Sequence, residues 1–188
     1  MELPIVTYRR VEFIETDTGN KVSRNCSITG SQNIILGGKT IIHPGCVIRG
    51  DLRRVIGTQS VVVSVGKYSV LGANSIIRPP YKIYKGTFSY YPIKIGDYVH
   101  IGENSVIQAA TIGNDVWIGK NCIIGRFCII KECVRIEDNT IVPPNTVVAA
   151  FTVLQGNPAK VVDELQPSAQ AVYEQRAKEY YARFIPSE

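Results

Sequence analysis

The sequence predicts an all-β solenoid followed by one C-terminal α-helix, and three observations point to this fold class. An aliphatic residue stands at every sixth position from Ile112 to Leu154, eight times in succession. The fifth place of each six is small or β-branched, as at Cys122 and Thr140. A strand repeats its buried face every two residues and a helix every 3.6, so a period of six indicates strand alternation interrupted by a regular corner. After Pro158 the spacing of apolar residues becomes helical.

A period of six is the hexapeptide pattern of a parallel β-helix, in which each strand stacks on the same strand of the next coil. With about 18 residues per coil, residues 22–160 form roughly seven coils about 4.8 Å apart, a triangular prism. The upstream leading positions are Val22, Ile28, Leu36, Ile42, Ile48, Ile56, Val62, Val65, Leu71 and Ile77. The frame slips twice between residues 49 and 65, so the register of residues 55–72 stays open. Glycine follows five leading residues, where we expect a corner to need a permissive backbone; these are Gly96, Gly102, Gly113, Gly119 and Gly125.

The repeat divides the chain into three parts. Residues 1–21 lack it and form an N-terminal arm, and residues 22–160 form the β-helix. A non-repeating loop at residues 78–94 interrupts the β-helix. Residues 161–188 carry the C-terminal helix, which we expect to pack on the prism because its apolar stripe needs a surface to cover.

The outward-facing residues of the coils predict where this helix lies. They form two aliphatic stripes, one with Ile123 and Ile141 and the other with Ile129 and Val147. The third stripe is mixed and contains His100, Trp117, Arg135 and Val153. We expect the helix to lie along an aliphatic stripe and to leave another face open to a partner.

Composition and charge exclude several classes of function. The net charge is +5, but acidic and basic residues alternate along the chain and no nucleic-acid-binding module is recognisable, so we expect no nucleic-acid partner. No stretch approaches the ~18 apolar residues of a membrane span, and residues 1–4 do not resemble a secretory signal, so we expect a cytoplasmic protein without membrane insertion. Five cysteines, an odd number, predict no disulfide framework.

Two segments resemble the hexapeptide-repeat superfamily, which includes acyltransferases and zinc enzymes of the γ-carbonic anhydrase type. Residues 48–51 (IRGD) are similar to a segment in which Arg and Asp join the subunits of trimeric γ-carbonic anhydrases, and residues 156–161 are similar to a closing motif of the superfamily. This resemblance implies that the β-helix is left-handed.

The histidine content argues against zinc catalysis and leaves acyl transfer with one candidate base. Catalytic zinc in that family needs three imidazoles, whereas this chain has two histidines, His43 and His100. An acyltransferase needs one histidine as a general base, and an outward-facing His100 can fill that role. We prefer the interpretation that His100 is a solvated strand residue without a catalytic role. We therefore expect no metal, no cofactor and no enzymatic activity.

The loop at residues 81–91 is rich in aromatic residues, and two interpretations remain open for it. The rings either fold back on the prism or form a protein interface, in which Tyr is enriched. The candidate partner-binding residues are Arg49, Asp51, Tyr81, Tyr84, Phe88, Tyr90, Tyr91 and Trp117.

Eight segments resemble the dynactin subunit 5 family more closely than hexapeptide proteins in general. They are residues 13–16, 19–24, 30–34, 38–42, 48–52, 77–80, 116–122 and 138–140. The resemblance implies a non-catalytic, left-handed β-helical scaffold subunit that is cytoplasmic and associated with the cytoskeleton. Its implied partners are dynactin subunit 6, as a heterodimer, and actin-related protein and dynactin subunit 4 at the pointed end, with dynein cargo adaptors engaged indirectly. The implied process is the engagement of cargo such as early endosomes in microtubule-based transport. The alternative is a hexapeptide-repeat enzyme, either an acyltransferase or γ-carbonic anhydrase-like.

Overall fold

The chain folds as a left-handed parallel β-helix with one α-helix near the C-terminus, which confirms the predicted fold class. The structure is a computed structural model and describes residues 2–53 and 61–187. The predicted leading position at Ile56 lies outside the described residues.

The strands are short, and most span two or three residues. In chain order they are β1 (Val6–Arg9), β2 (Phe13–Glu15), β3 (Lys21–Ser23), β4 (Ser27–Thr29), β5 (Ile34–Leu36), β6 (Ile41–Ile42), β7 (Val47–Arg49), β8 (Val63–Val65), β9 (Val70–Leu71), β10 (Ile76–Ile77), β11 (Tyr81–Tyr84), β12 (Thr87–Tyr90), β13 (Ile93–Ile95), β14 (His100–Ile101), β15 (Val106–Ile107), β16 (Thr111–Ile112), β17 (Trp117–Ile118), β18 (Ile123–Ile124), β19 (Ile129–Ile130), β20 (Arg135–Ile136), β21 (Ile141–Val142), β22 (Val147–Val148), β23 (Thr152–Gln155), β24 (Lys160–Glu164) and β25 (Phe184–Ser187). The α-helix, α1, spans Ala169–Arg183, and 3₁₀ turns span Arg10–Glu12 and Ser31–Asn33.

Three sheets form the faces of the prism. The first face has nine strands in the order β2-β3-β6-β9-β14-β17-β20-β23-β24. The second face has the order β21-β18-β15-β10-β7-β4, and the third has the order β22-β19-β16-β13-β8-β5. Neighbouring strands on these faces are parallel except for β2 with β3 and β23 with β24, which pair antiparallel at the two ends of the first face.

The predicted alternation places the leading aliphatic residues inside the prism. On the first face Ile101, Ile118 and Ile136 stack in register and are each 0% exposed. The backbone N–H of His100 donates to the carbonyl of Val116, one coil later, across 2.9 Å, and equivalent bonds run from Val70 to Val99 and from Trp117 to Val134. Each coil therefore buries one layer of aliphatic side chains and satisfies its backbone through its neighbours.

The corners use a different residue from the one we expected. A left-handed φ recurs at every sixth position, at Asp115, Asn121, Phe127, Cys133, Asn139, Asn145 and Phe151. Gly102 and Gly119, which follow leading residues, are not left-handed. A Cβ added to Gly102 would lie 2.4 Å from the carbonyl oxygen of Gly119, so these glycines allow close approach between coils instead of bending the chain.

The helix α1 lies along the first face, and the prediction that it covers an aliphatic stripe is wrong. The guanidinium of Arg176 lies 5.0 Å from the centre of the Trp117 ring, and the rings of Tyr180 and His100 are 6.0 Å apart. The outward side chains Ile123 and Ile129 of the other two faces remain exposed. The chain leaves the last coil through β24, at the end of the first face, so the helix returns along that face.

The two ends of the chain are joined beside the first coil. Strand β25, which directly follows α1, pairs in parallel with β1 in the N-terminal arm. The rings of Tyr8 and Phe184 from these strands stack 4.6 Å apart, and Phe13 packs on both. Neither the pairing nor β24 was evident from the sequence. In the described part of the chain, α1 included, we find no helix with the length and hydrophobicity needed to span a membrane.

Candidate functional site

The predicted loop at residues 78–94 contains an antiparallel β-hairpin made of β11 and β12. Lys85 and Gly86 form its turn, with φ values of 48° and 77°, as a two-residue hairpin turn requires. Tyr81 faces Tyr90, and Ile83 faces Phe88, so these four apolar side chains share one side of the hairpin. Every residue from 82 to 88 is exposed.

The aromatic rings of the hairpin contact one another. The ring of Phe88 lies 5.3 Å from that of Tyr81 and 5.1 Å from that of Tyr90, and the latter contact is edge-to-face. Tyr91, directly after the hairpin, packs at 5.5 Å against Phe127 at a corner of the prism. The base of the hairpin therefore packs on the prism, as the first interpretation predicts, while its tip is exposed and its role as a protein interface stays a prediction.

A groove lies between the hairpin and this corner of the prism. It encloses about 420 Å³ and is lined by Tyr81, Lys82, Ile83, Phe88, Arg126, Phe127, Pro144 and Asn145. The guanidinium of Arg126 lies 4.6 Å from the centre of the Tyr81 ring, and the ammonium of Lys82 lies 5.2 Å from that of Phe127. The groove thus combines an apolar lining with two cations that rest on aromatic rings.

Arg49 and Asp51 form an ion pair close to the base of the hairpin. Nε and one terminal nitrogen of Arg49 each donate to a different carboxylate oxygen of Asp51 across 2.9 Å. The hydroxyl of Thr29 also donates to Asp51, across 2.7 Å, and these bonds lower the pKa of the Asp51 carboxyl well below its usual range. The pKa of Arg49 is raised mainly by its hydrogen bond to Asp51. Ile48, directly before Arg49, is the register partner of Ile77, and the hairpin begins four residues after Ile77, so the ion pair lies near the base of the hairpin.

Trp117 lies apart from the other seven candidates. Its ring stacks on that of His100 at 3.9 Å on the first face, beneath Arg176 of the helix. Since this ring is used in helix packing, Trp117 does not belong to the hairpin surface.

The two histidines are brought together by the helix, and the expectation of a solvated His100 is wrong. The Nε2 atom of His43 lies 2.7 Å from the hydroxyl of Tyr180, whose ring also contacts that of His100. Burial lowers the pKa of His43, and burial together with nearby His43, Arg176 and Lys120 lowers the pKa of His100 to about 3. Within residues 2–53 and 61–187, no three His, Cys, Asp or Glu side chains come together as a potential set of metal ligands.

Sequence reasoning missed Ile83, Arg126 and Phe127 as parts of this site. Ile83 could have been found, because Tyr81 and Ile83 alternate toward Lys85-Gly86 in the manner of a hairpin strand. Arg126 and Phe127 belong to a coil more than 30 residues later, and only the stacking of the coils brings them to the hairpin.

Comparison with known proteins places this architecture in a family. A sequence model of the family described as Dynactin subunit 5 matches residues 1–188. A relative from Dictyostelium discoideum, named Dynactin subunit 5, is 48% identical over 180 residues, which cover 96% of this chain and 87% of the relative. The chain belongs to the Dynactin subunit 5 family.

Solved structures similar to this family member show its fold. A hexapeptide transferase family protein from Anaplasma phagocytophilum superposes with a TM-score of 0.62 at 19% identity, covering 87% of this chain and 89% of the other. An N-acyltransferase from Bacillus cereus superposes with a TM-score of 0.54 at 15% identity, covering 91% and 93%. At these identities the likeness concerns the left-handed β-helix and not the chemistry.

Proposed function

We propose that this chain is a non-catalytic scaffold subunit of the dynactin pointed-end complex. In this role it pairs with dynactin subunit 6 and lies beside actin-related protein and dynactin subunit 4. It supports the engagement of cargo such as early endosomes by dynein and dynactin, with contact to cargo adaptors being indirect. Its location is cytoplasmic and associated with the cytoskeleton. Membership in the Dynactin subunit 5 family supports the assignment to dynactin.

The observation that carries a docking role is the exposed apolar tip of the hairpin. Ile83, Tyr84 and Phe88 are 71%, 60% and 41% exposed. Large apolar side chains that cluster at an exposed tip indicate a protein contact, whereas scattered ones do not. The hairpin and the groove beside it therefore form the docking surface that we propose, together with Arg49 and Asp51.

The charges around this surface indicate the kind of partner. Lys82, Lys85 and Arg126 border the apolar side chains. A partner surface with an apolar centre and carboxylates at its rim complements this arrangement, because rim charges steer association and select the partner. The ion pair of Arg49 and Asp51 is half-exposed, so it contributes about 0–1 kcal/mol and acts mainly as a rim contact.

Two double variants test the docking surface. Ile83→Ser with Phe88→Ser removes the apolar tip, and we expect it to reduce co-purification with other dynactin subunits at least tenfold. The matched control is Val161→Ser with Val162→Ser in β24, which also removes two exposed apolar side chains, 62% and 54% exposed. The control should co-purify as the unchanged chain does. If the hairpin variant is retained in the complex, or only the control is lost, the hairpin is not the docking surface.

The alternative function is a hexapeptide-repeat enzyme, and it predicts different behaviour of the isolated protein. Such enzymes form homotrimers, and the zinc-dependent ones hold zinc in stoichiometric amount. Mass measurement in native conditions and metal analysis of the purified chain distinguish the two proposals. A zinc-loaded homotrimer would overturn the scaffold assignment.

A further inference from the structure

Cys26 and Cys46 occupy stacked positions in the first two coils. They immediately precede Ser27 and Val47, which are register partners in strands β4 and β7. The backbone N–H of Ser27 donates to the carbonyl of Cys46 across 2.9 Å, so the two cysteine backbones lie side by side. Adjacent strands are about 4.8 Å apart, which falls within the Cα separation of about 4.4–6.8 Å that a disulfide spans.

The two thiols differ in their surroundings. Cys46 is 0% exposed, and its sulfur lies 3.1 Å from the carbonyl oxygen of Gly72. Cys26 is partly exposed, because β4 is the edge strand of the second face and no earlier coil covers it. Cys26 is therefore the more accessible of the two thiols to a small solute.

The pKa values of the two thiols shift in opposite directions, while the Cys26 thiol donates to the carbonyl of His43 across 3.2 Å. A hydrogen bond with the Cys46 side chain lowers the pKa of the Cys26 thiol, although partial burial opposes this effect. The same contact and burial raise the pKa of Cys46. Since the thiolate is the reactive form of cysteine, Cys26 is the nucleophile and Cys46 the resolving thiol.

We propose that Cys26 and Cys46 form a peroxide-sensitive pair that closes to a reversible disulfide between the first two coils. The Cys26 thiolate attacks one oxygen of a hydroperoxide, the O–O bond breaks, and Cys26 becomes a sulfenic acid while hydroxide or alkoxide leaves. The Cys46 sulfur then attacks the Cys26 sulfur, so the S–S bond forms and the S–O bond breaks. The hydroxyl of the sulfenic acid departs as water with the proton of Cys46. A thiol reductant returns both groups to thiols.

The other three cysteines do not share this arrangement. Cys122, Cys128 and Cys133 are buried, and burial raises the pKa of each thiol, to about 11 for Cys133. In the coil ladder Cys122 lies between Ser105 and Thr140, so it has no cysteine neighbour there. These cysteines provide internal controls for selectivity.

Peptide mapping of the full chain under non-reducing conditions tests the proposal. After treatment with about one equivalent of hydrogen peroxide, we expect a cross-linked Cys26–Cys46 peptide pair with the loss of two hydrogens, reversed by a thiol reductant. Cys122→Ala is the control variant and should form the same cross-link. Cys46→Ala should leave a sulfenic acid at Cys26 that dimedone traps. It should also slow alkylation of Cys26 at pH 7 by roughly fivefold or more, because less thiolate is present.

Three outcomes would overturn the proposal, and none of them depends on a variant that folds. They are the absence of the cross-link in the unchanged chain, equal oxidation of all five cysteines, and accumulation of sulfinic acid at Cys26 without a cross-link. Each outcome concerns the thiols alone, and co-purification of the hairpin variants tests the docking role separately.

Discussion

His43 and His100 are the only two histidines of the chain, and both serve in packing. They contact Tyr180 from two rungs of the first face, β6 and β14, that are separated by β9, and His100 also stacks on Trp117. An imidazole in this environment is held neutral, because a charge there would lose its hydration beside the cations of Arg176 and Lys120. Neutral histidine thus joins the helix to the prism.

The lowered pKa of His100, to about 3, predicts how stability depends on pH. In the unfolded chain a histidine has a pKa of about 6.5, so below that pH the unfolded state binds more protons than the folded state. The contribution of His100 to the free energy of unfolding is therefore fully present above about pH 6.5 and is lost as the pH falls toward 3. His100→Asn cannot titrate, so its stability should fall less steeply between pH 6.5 and pH 4.

Urea denaturation at several pH values measures how steeply the free energy of unfolding falls with pH in each protein. In the double variant His43→Asn with His100→Asn, the free energy of unfolding should depend even less on pH, since burial also lowers the pKa of His43. Parallel pH profiles for the unchanged chain and His100→Asn would show that His100 is not held neutral by its surroundings.

The helix α1 presents tyrosines to the prism, which explains why it lies on the mixed face. The hydroxyl of Tyr180 bonds with His43, and that of Tyr181 donates to the carbonyl of Gly19 across 2.6 Å. An aliphatic stripe offers no partner to these hydroxyls, and a buried hydroxyl without a hydrogen bond costs about 1–3 kcal/mol. Ser168 precedes the helix as its N-cap residue but makes no side-chain capping bond, and the helix ends at Arg183, before Pro186.

Removal of one hydroxyl tests how the helix is held. Burial raises the pKa of Tyr180 to about 12, so its hydroxyl stays protonated near neutral pH. Tyr180→Phe should lower the free energy of unfolding by about 1 kcal/mol, because it removes the bond to His43. Tyr84→Phe is the matched control, since Tyr84 is exposed on the hairpin, and it should change stability by less than about 0.5 kcal/mol. Equal effects in thermal denaturation would mean that the bond to His43 does not stabilise the packed helix.

The whole molecule is a stack in which each coil contacts its neighbours. Adjacent residues of one strand alternate between the core and the surface of this stack, as Ile123 and Ile124 show. Ile124 points inward and is 0% exposed, between Ile107 and Val142 in register. Its neighbour Ile123 points outward and is 43% exposed. The stack is regular, so the coils cannot easily collapse into a gap.

Truncation at these neighbouring positions measures the energy of the stack. Ile124→Ala should lower the free energy of unfolding by about 2–5 kcal/mol, through lost burial and the cavity that remains. Ile123→Ala removes the same atoms from the surface of the same strand and should cost less than about 1 kcal/mol. Chemical denaturation of both variants gives the comparison, and a loss below about 1 kcal/mol for Ile124→Ala would contradict its role as a core rung.

The predicted site was only partly accessible from sequence, as three residues illustrate. Tyr81 and Phe88 were candidates because their segment is rich in aromatic residues. The segment was predicted to be a loop, so the strand pairing that places both side chains on one side of a hairpin was not predicted. Trp117 was chosen as an outward-facing aromatic residue, and the helix that packs over it was expected on another face. Contacts of this kind join residues distant in sequence, and no local pattern encodes them.

The sequence by itself determined the coiled architecture, because the inward alternation of aliphatic residues repeats with every hexad and is a local property of the chain. It also shows that the chain has two histidines, whereas a γ-carbonic anhydrase zinc site uses three imidazoles. The tertiary structure alone decided which face the helix covers, how Arg126 meets the hairpin, and that Cys26 lies against Cys46. These three contacts join residues from different coils or from the helix and the prism. Which residues meet depends on the hydrogen-bond register between coils, and that register exists only in the folded chain.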